Sequence, residues 1–560
     1  MFENVCQRFK NSGCFCNFAE RLENMNKNKK SSKHIKRQDA AAPKAVAAKK
    51  EHRWLWKIPF YPLLFLLLWI FCSGVYGSVF YMSQQTSYFA WDATLMNFLL
   101  SQDLGWLYAV GRFLLLSYHF PILGGAVLAL MLTLCSWLLD YIFGFAAKLR
   151  FVLVLPPFAF LAYFMALNYS VNYHRETSLL MAVPFAAVVV LGLLAAVRRI
   201  VSRKKVESPW KIPVDFQREL LVNNIGAVVV FAAITAFCIL QRDDLVRTCR
   251  MMRMLENSDW EAMIDEALGA RRPSRSVAAY YAIALAETGQ LESRVFEIPY
   301  DYPSGKVVEM EGKLSDGTSI YTLDADFYAG LPNVSYHNCM ETIVKNGPQL
   351  FLLKRMARAA AMNGEKRLCW KYLAIIDRNP FEHKFVERYK QYVSNTQAMR
   401  TEPEFAHVVN KMPVYDDFEQ SYRSPLFLGY NVALREGATE EALNASAMAT
   451  LYSKDLDGFL MRARLFGNAN LPEYYKQAVM LKSLKDKQIL RYFPTINSEM
   501  EMARLRSFVK VAKPYLRKKD EGRKILGKDW GNYYPYYMYF ENIPTEEQIK
   551  EQEQEKGGVN

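Results

Sequence analysis

Five long, nearly uninterrupted apolar stretches in the first 242 residues limit what this chain can fold into. They lie at Ile58–Met82, Phe120–Phe143, Phe151–Leu167, Ser178–Val197 and Ile225–Leu240. A helix of about 20 apolar residues spans the hydrocarbon core of a bilayer, and inside hydrocarbon a helix satisfies its own backbone hydrogen bonds. The third and fifth stretches reach that length only with flanking residues. The pattern predicts a bundle of five membrane-spanning helices.

The distribution of charge predicts which side of the membrane each part occupies. Residues 1–53 hold 13 Lys and Arg against 5 Asp and Glu, residues 54–242 hold 13 against 7, and the remainder holds 44 against 44. The cations are concentrated in the N-terminal tail and after the second and fourth apolar stretches. Because Lys and Arg stay on the cytoplasmic side, we expect a cytoplasmic N-terminus. Five crossings then place everything after Arg242 in the periplasm, beside a bacterial inner membrane.

The neutral second half also limits the partners. Nucleic acid binding needs a surplus of Lys and Arg on one face, so the balance after Arg242 argues against nucleic acid. The basic tail before the first apolar stretch could contact membrane lipids, although its main predicted role is to set the topology.

The loop between the first two apolar stretches, residues 83–119, is apolar but interrupted. Its polar and charged residues include Asp92, Asn97, Gln102, Asp103 and Arg112. A membrane crossing would bury these groups at considerable cost, so we interpret the loop as helices that lie in the membrane interface. If residues 87–118 crossed the membrane instead, the domain that follows would lie in the cytoplasm.

Composition divides the chain into four parts. Residues 1–53 form a basic cytoplasmic tail that we expect to be disordered, with Met25 as an alternative start. Residues 54–242 form the transmembrane domain, residues 243–540 a periplasmic helical-repeat domain, and residues 541–560 a disordered tail. With no disulfide framework among nine cysteines, the folded parts depend on packing.

The second half shows the spacing of amphipathic helices. Ser258 is a plausible N-cap, and Trp260, Met263, Ile264 and Leu268 share one helix face. Paired helices that end at glycine or before Asn379-Pro380 are similar to tetratricopeptide repeats, although their spacing is irregular. We therefore predict an all-α fold with a tetratricopeptide-like α-solenoid. Residues 301–322 break the helical pattern as a hairpin or extended loop, and the aromatic stretch 530–540 is expected to pack on the helical domain.

No familiar catalytic or metal-binding motif occurs in the sequence, and we predict no catalytic residue, cofactor or metal. The best enzymatic alternative uses Asp92 and Asp103 of the first outer loop, joined by the His174–Arg175–Glu176 triplet of the second. Acidic residues in the first outer loop are typical of membrane glycosyltransferases that use lipid-linked sugars, and this remains the alternative function.

Three stretches carry a family resemblance. They are DLGWLYAVGRFLLLSYHFPILGGAVLAL (Asp103–Leu130), AAYYAIALAETGQL (Ala278–Leu291) and the near-terminal GNYYPYYMYF. The chain resembles an uncharacterised domain-of-unknown-function family of multi-pass membrane proteins from Bacteroidota. The resemblance implies a bacterial inner-membrane location and no particular activity. Together with the repeat-like helices, it favours a non-enzymatic scaffold whose periplasmic domain binds an unknown envelope protein.

Overall fold

Helices account for all regular structure in the part of the chain that the computed structural model describes, and no strand occurs there. The described residues are 59–145, 147–163, 177–201, 217–300, 319–413, 439–467 and 470–541. The predicted all-α fold class is confirmed.

The first eight α-helices carry the apolar stretches and the loop between the first two. They are α1 Phe60–Ile70, α2 Gly77–Gln85, α3 Ala93–Leu100, α4 Gly105–Leu115, α5 Pro121–Phe143, α6 Leu155–Ala162, α7 Leu179–Val201 and α8 Gln217–Glu256. A π-helical turn, Phe71–Val75, links α1 to α2. Short 3-10 segments, Leu116–His119 and Ala147–Val154, precede α5 and α6.

Residues 257–541, here called the helical domain, contain shorter helices. These are α9 Trp260–Leu268, α10 Arg275–Glu287, α11 Leu291–Arg294, α12 Ser319–Tyr328, α13 Pro332–Asn346, α14 Leu350–Met362, α15 Lys366–Ile376, α16 His383–Ser394, α17 Thr396–Thr401, α18 Ala406–Lys411, α19 Glu440–Tyr452, α20 Leu456–Ala463, α21 Glu473–Ser483, α22 Ser498–Ala512, α23 Lys519–Trp530 and α24 Tyr534–Phe540. The predicted hairpin or extended loop at 301–322 lies largely outside the described residues.

The prediction of five spans is wrong. Within the described ranges, three helices are long and apolar enough to cross a bilayer: α5, α7 and the Val222–Leu240 part of α8. The count rises to four if α1 and α2, which meet at a bend of 66°, form one broken span.

The predicted span Phe151–Leu167 fails for a local reason. Its first residues form a 3-10 segment, and α6 begins at Leu155 and ends at Ala162. Pro156 and Pro157 lack amide hydrogens, so they fit the first turn of a new helix but cannot continue an existing one. Within the described residues the helix is too short to span a bilayer on its own, and residues 164–167 of the predicted span lie outside them.

The bend between α1 and α2 lies where α5 approaches most closely. Tyr76, between the π-helical turn and α2, has φ −110° and ψ 8°, outside the helical region. A Cβ atom on Gly125 of α5 would lie 2.1 Å from Ser73 Oγ and 3.0 Å from Ser73 N. The hydroxyl of Ser73 can rotate away from such an atom, but the backbone of Ser73 would still have to shift by a few tenths of an ångström. Glycine therefore suits position 125, because small residues let apolar helices approach each other closely.

α5 and α7 run in the same direction. Cys135 Sγ lies 3.7 Å from the carbonyl oxygen of Pro184. Further along both helices, Arg198 Nη1 donates a hydrogen bond to the carbonyl oxygen of Tyr141 at 2.9 Å. Because α5 and α7 are parallel, the chain that joins them has to travel back along the bundle. The structure describes residues 147–163 of this return.

α6 follows the direction of α8 on this return path. Phe151 N donates to Asn223 Oδ1 at 3.2 Å, near the start of α8. Farther along, the ring of Phe158 lies 5.7 Å from that of Phe231 and 5.8 Å from that of Phe71. The later residues of α6 therefore contact later residues of α8.

Basic side chains are found at one end of the bundle, here called the basic end. Near the end of α5, Asp140 is buried and lies 3.1 Å from Arg150 Nε. Tyr61, at the start of α1, donates a hydrogen bond to the same carboxylate. Arg198 also reaches this end, through Tyr141. The start of α1 and the ends of α5 and α7 therefore meet at the basic end.

The structure corrects two details that were predicted for α9, its N-cap and its buried face. The N-cap of α9 is Asp259, whose carboxylate accepts from Ala262 N, and not Ser258, which adopts a left-handed φ of 55°. The prediction of a buried apolar face is confirmed for Met263 and Ile264. It is wrong for Leu268, which is exposed. Its place in the core is taken by a smaller residue of the same helix, Ala267.

The aromatic stretch near the C-terminus packs on the helical domain, as predicted. Tyr534 and Tyr537 of α24 are fully buried. The ring of Tyr537 lies 4.2 Å from that of Phe296. Just after α24, Glu541 accepts a hydrogen bond from Tyr300 N at 2.9 Å. These contacts join the end of the chain to the segment after α11.

We predict that Gly125→Ala lowers the stability of the detergent-solubilised protein by about 1–3 kcal/mol, because overpacking a close helix contact has a cost of this size. Gly192→Ala in α7 is the matched control. A Cβ at position 192 meets nothing within 4 Å, and alanine is the better helix former. Thermal unfolding of both variants measures the difference. Equal stability of the two variants would contradict the close contact at Ser73.

Candidate functional site

A run of five consecutive buried polar residues, Ser83–Ser87, ends the first apolar stretch. Buried polar groups need hydrogen-bond partners, and this run finds some of them in the helical domain. Leu350 N, at the start of α14, donates to the carbonyl oxygen of Ser87 at 3.3 Å. Lys354 Nζ lies 3.5 Å from Gln85 Oε1. The first loop and the helical domain therefore form a shared polar contact, here called the junction.

The junction continues along the extended residues after Ser87. Tyr88 Oη donates to the carbonyl oxygen of Ile375 at 2.9 Å, at the end of α15. Asn379 Nδ2 donates to the carbonyl oxygen of Phe89 at 3.1 Å. The same carbonyl oxygen of Ile375 also accepts a hydrogen bond from Arg378 N at 3.3 Å. Tyr88 therefore adds a hydrogen bond from the first loop to the turn that ends α15.

An ion pair ends this part of the junction. Arg378 Nη1 lies 2.6 Å from Asp92 Oδ2. The other carboxylate oxygen of Asp92 accepts from Thr94 N and Leu95 N, which makes Asp92 the N-cap of α3. The hydrogen bonds from Leu95 and Thr94, together with Arg378, hold the pKa of Asp92 below its usual value against the opposing effect of burial.

α4 joins the junction through Arg112, whose Nη1 donates to the carbonyl oxygen of Tyr88 at 3.3 Å. A small cavity lies here, lined by Gln84, Ser87, Phe89, Arg112, Leu115, Leu116 and Asn379. Its volume is about 150 Å³, including space open to solvent. Pockets for small molecules usually measure about 300–1,000 Å³. This cavity is therefore smaller than a typical small-molecule pocket.

A buried charge cluster forms a second part of the junction. Glu382 is 3% exposed and lies 3.1 Å from Lys354 Nζ through one oxygen and 3.9 Å from His119 Nδ1 through the other. The ring of His119 also stacks on Phe381 at 5.1 Å. Burial lowers the pKa of His119 below its usual 6.5, Glu382 opposes this shift, and Lys354 adds to it. The neutral ring is therefore the form that fits the junction.

A second charge cluster holds α14 on the side that faces the core of the helical domain. Asp324 of α12 is fully buried and accepts from Arg355 Nε at 2.8 Å, Arg358 Nη2 at 3.2 Å and Tyr280 Oη at 3.0 Å. Burial alone would raise the pKa of Asp324, but Arg355 and Arg358 outweigh it and hold that pKa below its usual value. α14 thus presents Lys354 to the first loop and its neighbour Arg355 to the core.

The structure gives the two predicted acids of the enzymatic alternative different surroundings. Both oxygens of Asp92 are engaged in the cap and the ion pair. Asp103 is exposed between α3 and α4. The His174–Arg175–Glu176 triplet lies outside the described residues. Within the described ranges, no group of three His, Cys, Asp or Glu side chains could hold a metal ion. Asp92 therefore caps α3 and joins the first loop to the helical domain through Arg378.

The helical domain also exposes an apolar surface, here called the α20 patch. Met461 and Leu465, four residues apart, are 62% and 58% exposed. Tyr492 is 56% exposed, and the guanidinium of Arg464 lies 4.1 Å from its ring. Arg464 therefore brings the exposed tyrosine ring beside the segment that carries Met461 and Leu465. Exposed apolar side chains that lie together are typical of binding surfaces.

Sequence reasoning missed the residues of the helical domain that form the junction. Lys354 has the spacing of an ordinary exposed position on an amphipathic helix. Arg378 and Glu382 flank Asn379-Pro380, which was interpreted only as a helix terminator. The one available signal was the SQQTS run directly after an apolar stretch. Five polar residues there need partners if the chain remains buried, but the sequence does not show where those partners lie.

Comparison with known proteins yields a family and no function. The model of a sequence family described as a family of unknown function, DUF6057, matches residues 53–183 and 169–541. No curated protein and no solved structure matches the chain. The resemblance to an uncharacterised family is confirmed, whereas its bacterial source and membrane topology remain predictions.

We predict that the junction weakens on acidification through His119. Because the folded state lowers the pKa of His119, the stability that the neutral ring contributes is present above about pH 6.5 and is lost as the pH falls below it. For one proton the slope is at most about 1.4 kcal/mol per pH unit. Thermal unfolding of the solubilised protein measures this loss.

His119→Phe is the control, because phenylalanine keeps the contact with Phe381 and removes the titrating group. Glu382, Lys354, Glu256 and Arg253 also act on His119 and remain in both proteins. The wild type should lose more stability than the variant between about pH 7.5 and pH 5.5. Parallel pH profiles would show that His119 does not couple to folding.

Proposed function

Because the chain belongs to the DUF6057 family, whose function is unknown, we propose a function from the geometry of the chain itself. The protein is an integral protein of a bacterial inner membrane that holds its helical domain on the periplasmic side as a docking platform for another envelope protein. The junction is the observation that carries this proposal, because it fixes a large helical domain to one end of the apolar helices. The alternative, a lipid-linked-sugar glycosyltransferase, gains no support from the engaged carboxylate of Asp92.

The surfaces of the apolar helices support the membrane part of the proposal. Large apolar side chains are exposed along α5, α7 and α8, among them Leu130, Val190, Leu193, Val229 and Leu240. Contiguous apolar surface of this kind is unfavourable in water, whereas hydrocarbon is a suitable solvent for it. Membrane lipids are therefore the first proposed partners.

The two ends of the bundle support the proposed orientation. Arg150 and Arg198 lie at the basic end, and positively charged ends remain cytoplasmic. The first loop contacts the helical domain through Asp92 and Arg378, so these two parts share a side whatever the number of spans. With the basic end in the cytoplasm, the first loop and the helical domain face the periplasm.

The hairpin of α3 and α4 fits the membrane interface. It exposes Phe98, Leu104, Trp106 and Phe113, together with polar residues such as Asn97. Aromatic and leucine side chains beside polar groups suit the boundary between headgroups and acyl chains. The polar groups would be costly at the bilayer centre. These exposed side chains therefore support an interfacial position for the loop.

The helical domain supports the docking part of the proposal. α13 packs on α14 and α14 on α15, and the resemblance of such stacked helices to tetratricopeptide repeats favours a protein-binding role. The α20 patch supplies a candidate contact surface with three exposed apolar side chains. The resemblance to proteins of Bacteroidota is the basis for the bacterial part of the proposal.

Affinity capture of the full-length protein from chemically crosslinked cells tests the docking role. We expect one stoichiometric partner with the wild type, and several-fold less of it with Leu465→Glu, because a charge at the centre of an apolar contact is poorly tolerated. Ile525→Glu is the matched control, since Ile525 is a comparably exposed apolar residue of α23. Both variants must keep the wild-type melting temperature.

Two results would contradict the docking role of the α20 patch. One is the absence of any stoichiometric partner in the capture from the wild type. The other is equal recovery of the partner with Leu465→Glu and Ile525→Glu.

A further inference from the structure

Phe381 combines a strained backbone conformation with an apolar side chain that is exposed. It is a non-glycine residue with a left-handed φ of 77°, and its side chain is 52% exposed. Left-handed backbone is uncommon for bulky residues and persists where the surrounding structure holds it in place. An exposed phenylalanine held in a strained conformation points to a contact that the chain alone does not supply.

The neighbours of Phe381 hold it in this position. Asn379, two residues before it, is buried and donates to the carbonyl oxygen of Phe89. Glu382, directly after it, is buried and pairs with Lys354. Both flanks of Phe381 are therefore fixed in the junction. The exposed ring is presented by a rigid turn between α15 and α16.

Phe381 lies beside the start of a candidate membrane span. Its ring lies 5.6 Å from that of Phe120 in an edge-to-face arrangement. Phe120 is the residue before α5, and it is exposed together with Ile122 and Leu123 in the first turn of that helix. Phe381 thus extends the exposed apolar surface at the start of α5 onto the helical domain.

We infer that Phe381 inserts into the membrane interface and that the helical domain rests on the lipid surface through it. The inference rests on the proposed membrane location. If α5 spans the bilayer, Phe120 lies at the level where the span begins, and the ring in contact with it lies at the same level. Aromatic side chains are enriched at this level of membrane proteins. Lipid therefore covers the exposed face of Phe381.

Lipid fits this surface better than a second copy of the chain does. Exposed apolar side chains lie at Phe381 and Phe120 and at Ile122 in the first turn of α5. Half-buried Ala126 and exposed Leu130 follow along the same helix at a spacing of four residues. A protein partner on Phe381 alone would leave the rest of this surface uncovered. A bilayer covers all of it, and it places the junction at the membrane surface.

Photocrosslinking to lipid tests the inference. The full chain carries p-benzoylphenylalanine in place of Phe381 and is reconstituted into phosphatidylcholine vesicles that contain radiolabelled phospholipid. The probe keeps an aromatic side chain, so the fold is expected to persist, and unchanged melting temperature checks this. Ile122, in the first turn of α5, carries the probe as the positive control. Tyr492 carries it as the control for an exposed aromatic residue elsewhere in the helical domain.

We expect lipid adducts at positions 381 and 122, each several-fold above position 492. The probe in place of Phe120 should also label lipid, which tests the same surface a second time. Adducts at 122 without adducts at 381 would overturn the inference and leave the proposed membrane location intact.

Three further results would also overturn the inference. Absence of lipid adducts at both 381 and 122 would overturn the membrane location as well. A crosslink from 381 to a second protein chain would show that another copy covers this face. Equal labelling at 381 and 492 would show that the ring has no preferred contact with lipid.

Discussion

Burial of the polar run Ser83–Ser87 is the constraint on which the rest of the structure depends. The chain leaves an apolar bundle through five polar residues that stay buried, and buried polar groups must be hydrogen-bonded. Part of their bonding comes from α14, which is held in turn by the salt bridges of Asp324. Local hydrogen bonds satisfy other groups of this run, such as the hydroxyls of Ser83 and Thr86. The contacts with α14, more than 250 residues later, join the apolar bundle to the helical domain.

This arrangement explains how much of the fold could be predicted from the sequence. The apolar stretches and amphipathic periods predicted many helices, including α5 and α7, because such patterns depend on local spacing. The aromatic content of residues 530–540 predicted that they are buried, but not that they contain a helix. The span count failed where local chemistry overrides hydropathy, at Pro156 and Pro157 and at the bend beside Gly125. The junction could not be predicted, because Arg378 and Glu382 flank a predicted helix terminator, and only the folded chain brings them to Asp92 and His119.

The described contacts of the candidate site join the first loop to the helical domain. Asp92, the acid that favoured an enzymatic alternative, caps α3 and pairs with Arg378. The cavity beside Arg112 is smaller than a typical small-molecule pocket, and it lies among docking residues. We propose on this basis a protein that positions a helical domain beside a membrane, with the α20 patch as the surface for a partner and Phe381 as a contact with lipid.

The central claim is that the first loop and the helical domain meet on the outer side of the membrane. Crosslinking of an Asp92→Cys/Arg378→Cys variant in intact cells with a short, membrane-impermeant bismaleimide tests it most directly, with each single variant as control. The account predicts an intramolecular crosslink in the double variant before the cells are lysed, since Asp92 and Arg378 form an ion pair. A crosslink that forms only after the inner membrane is opened, or none in either state, would contradict the account.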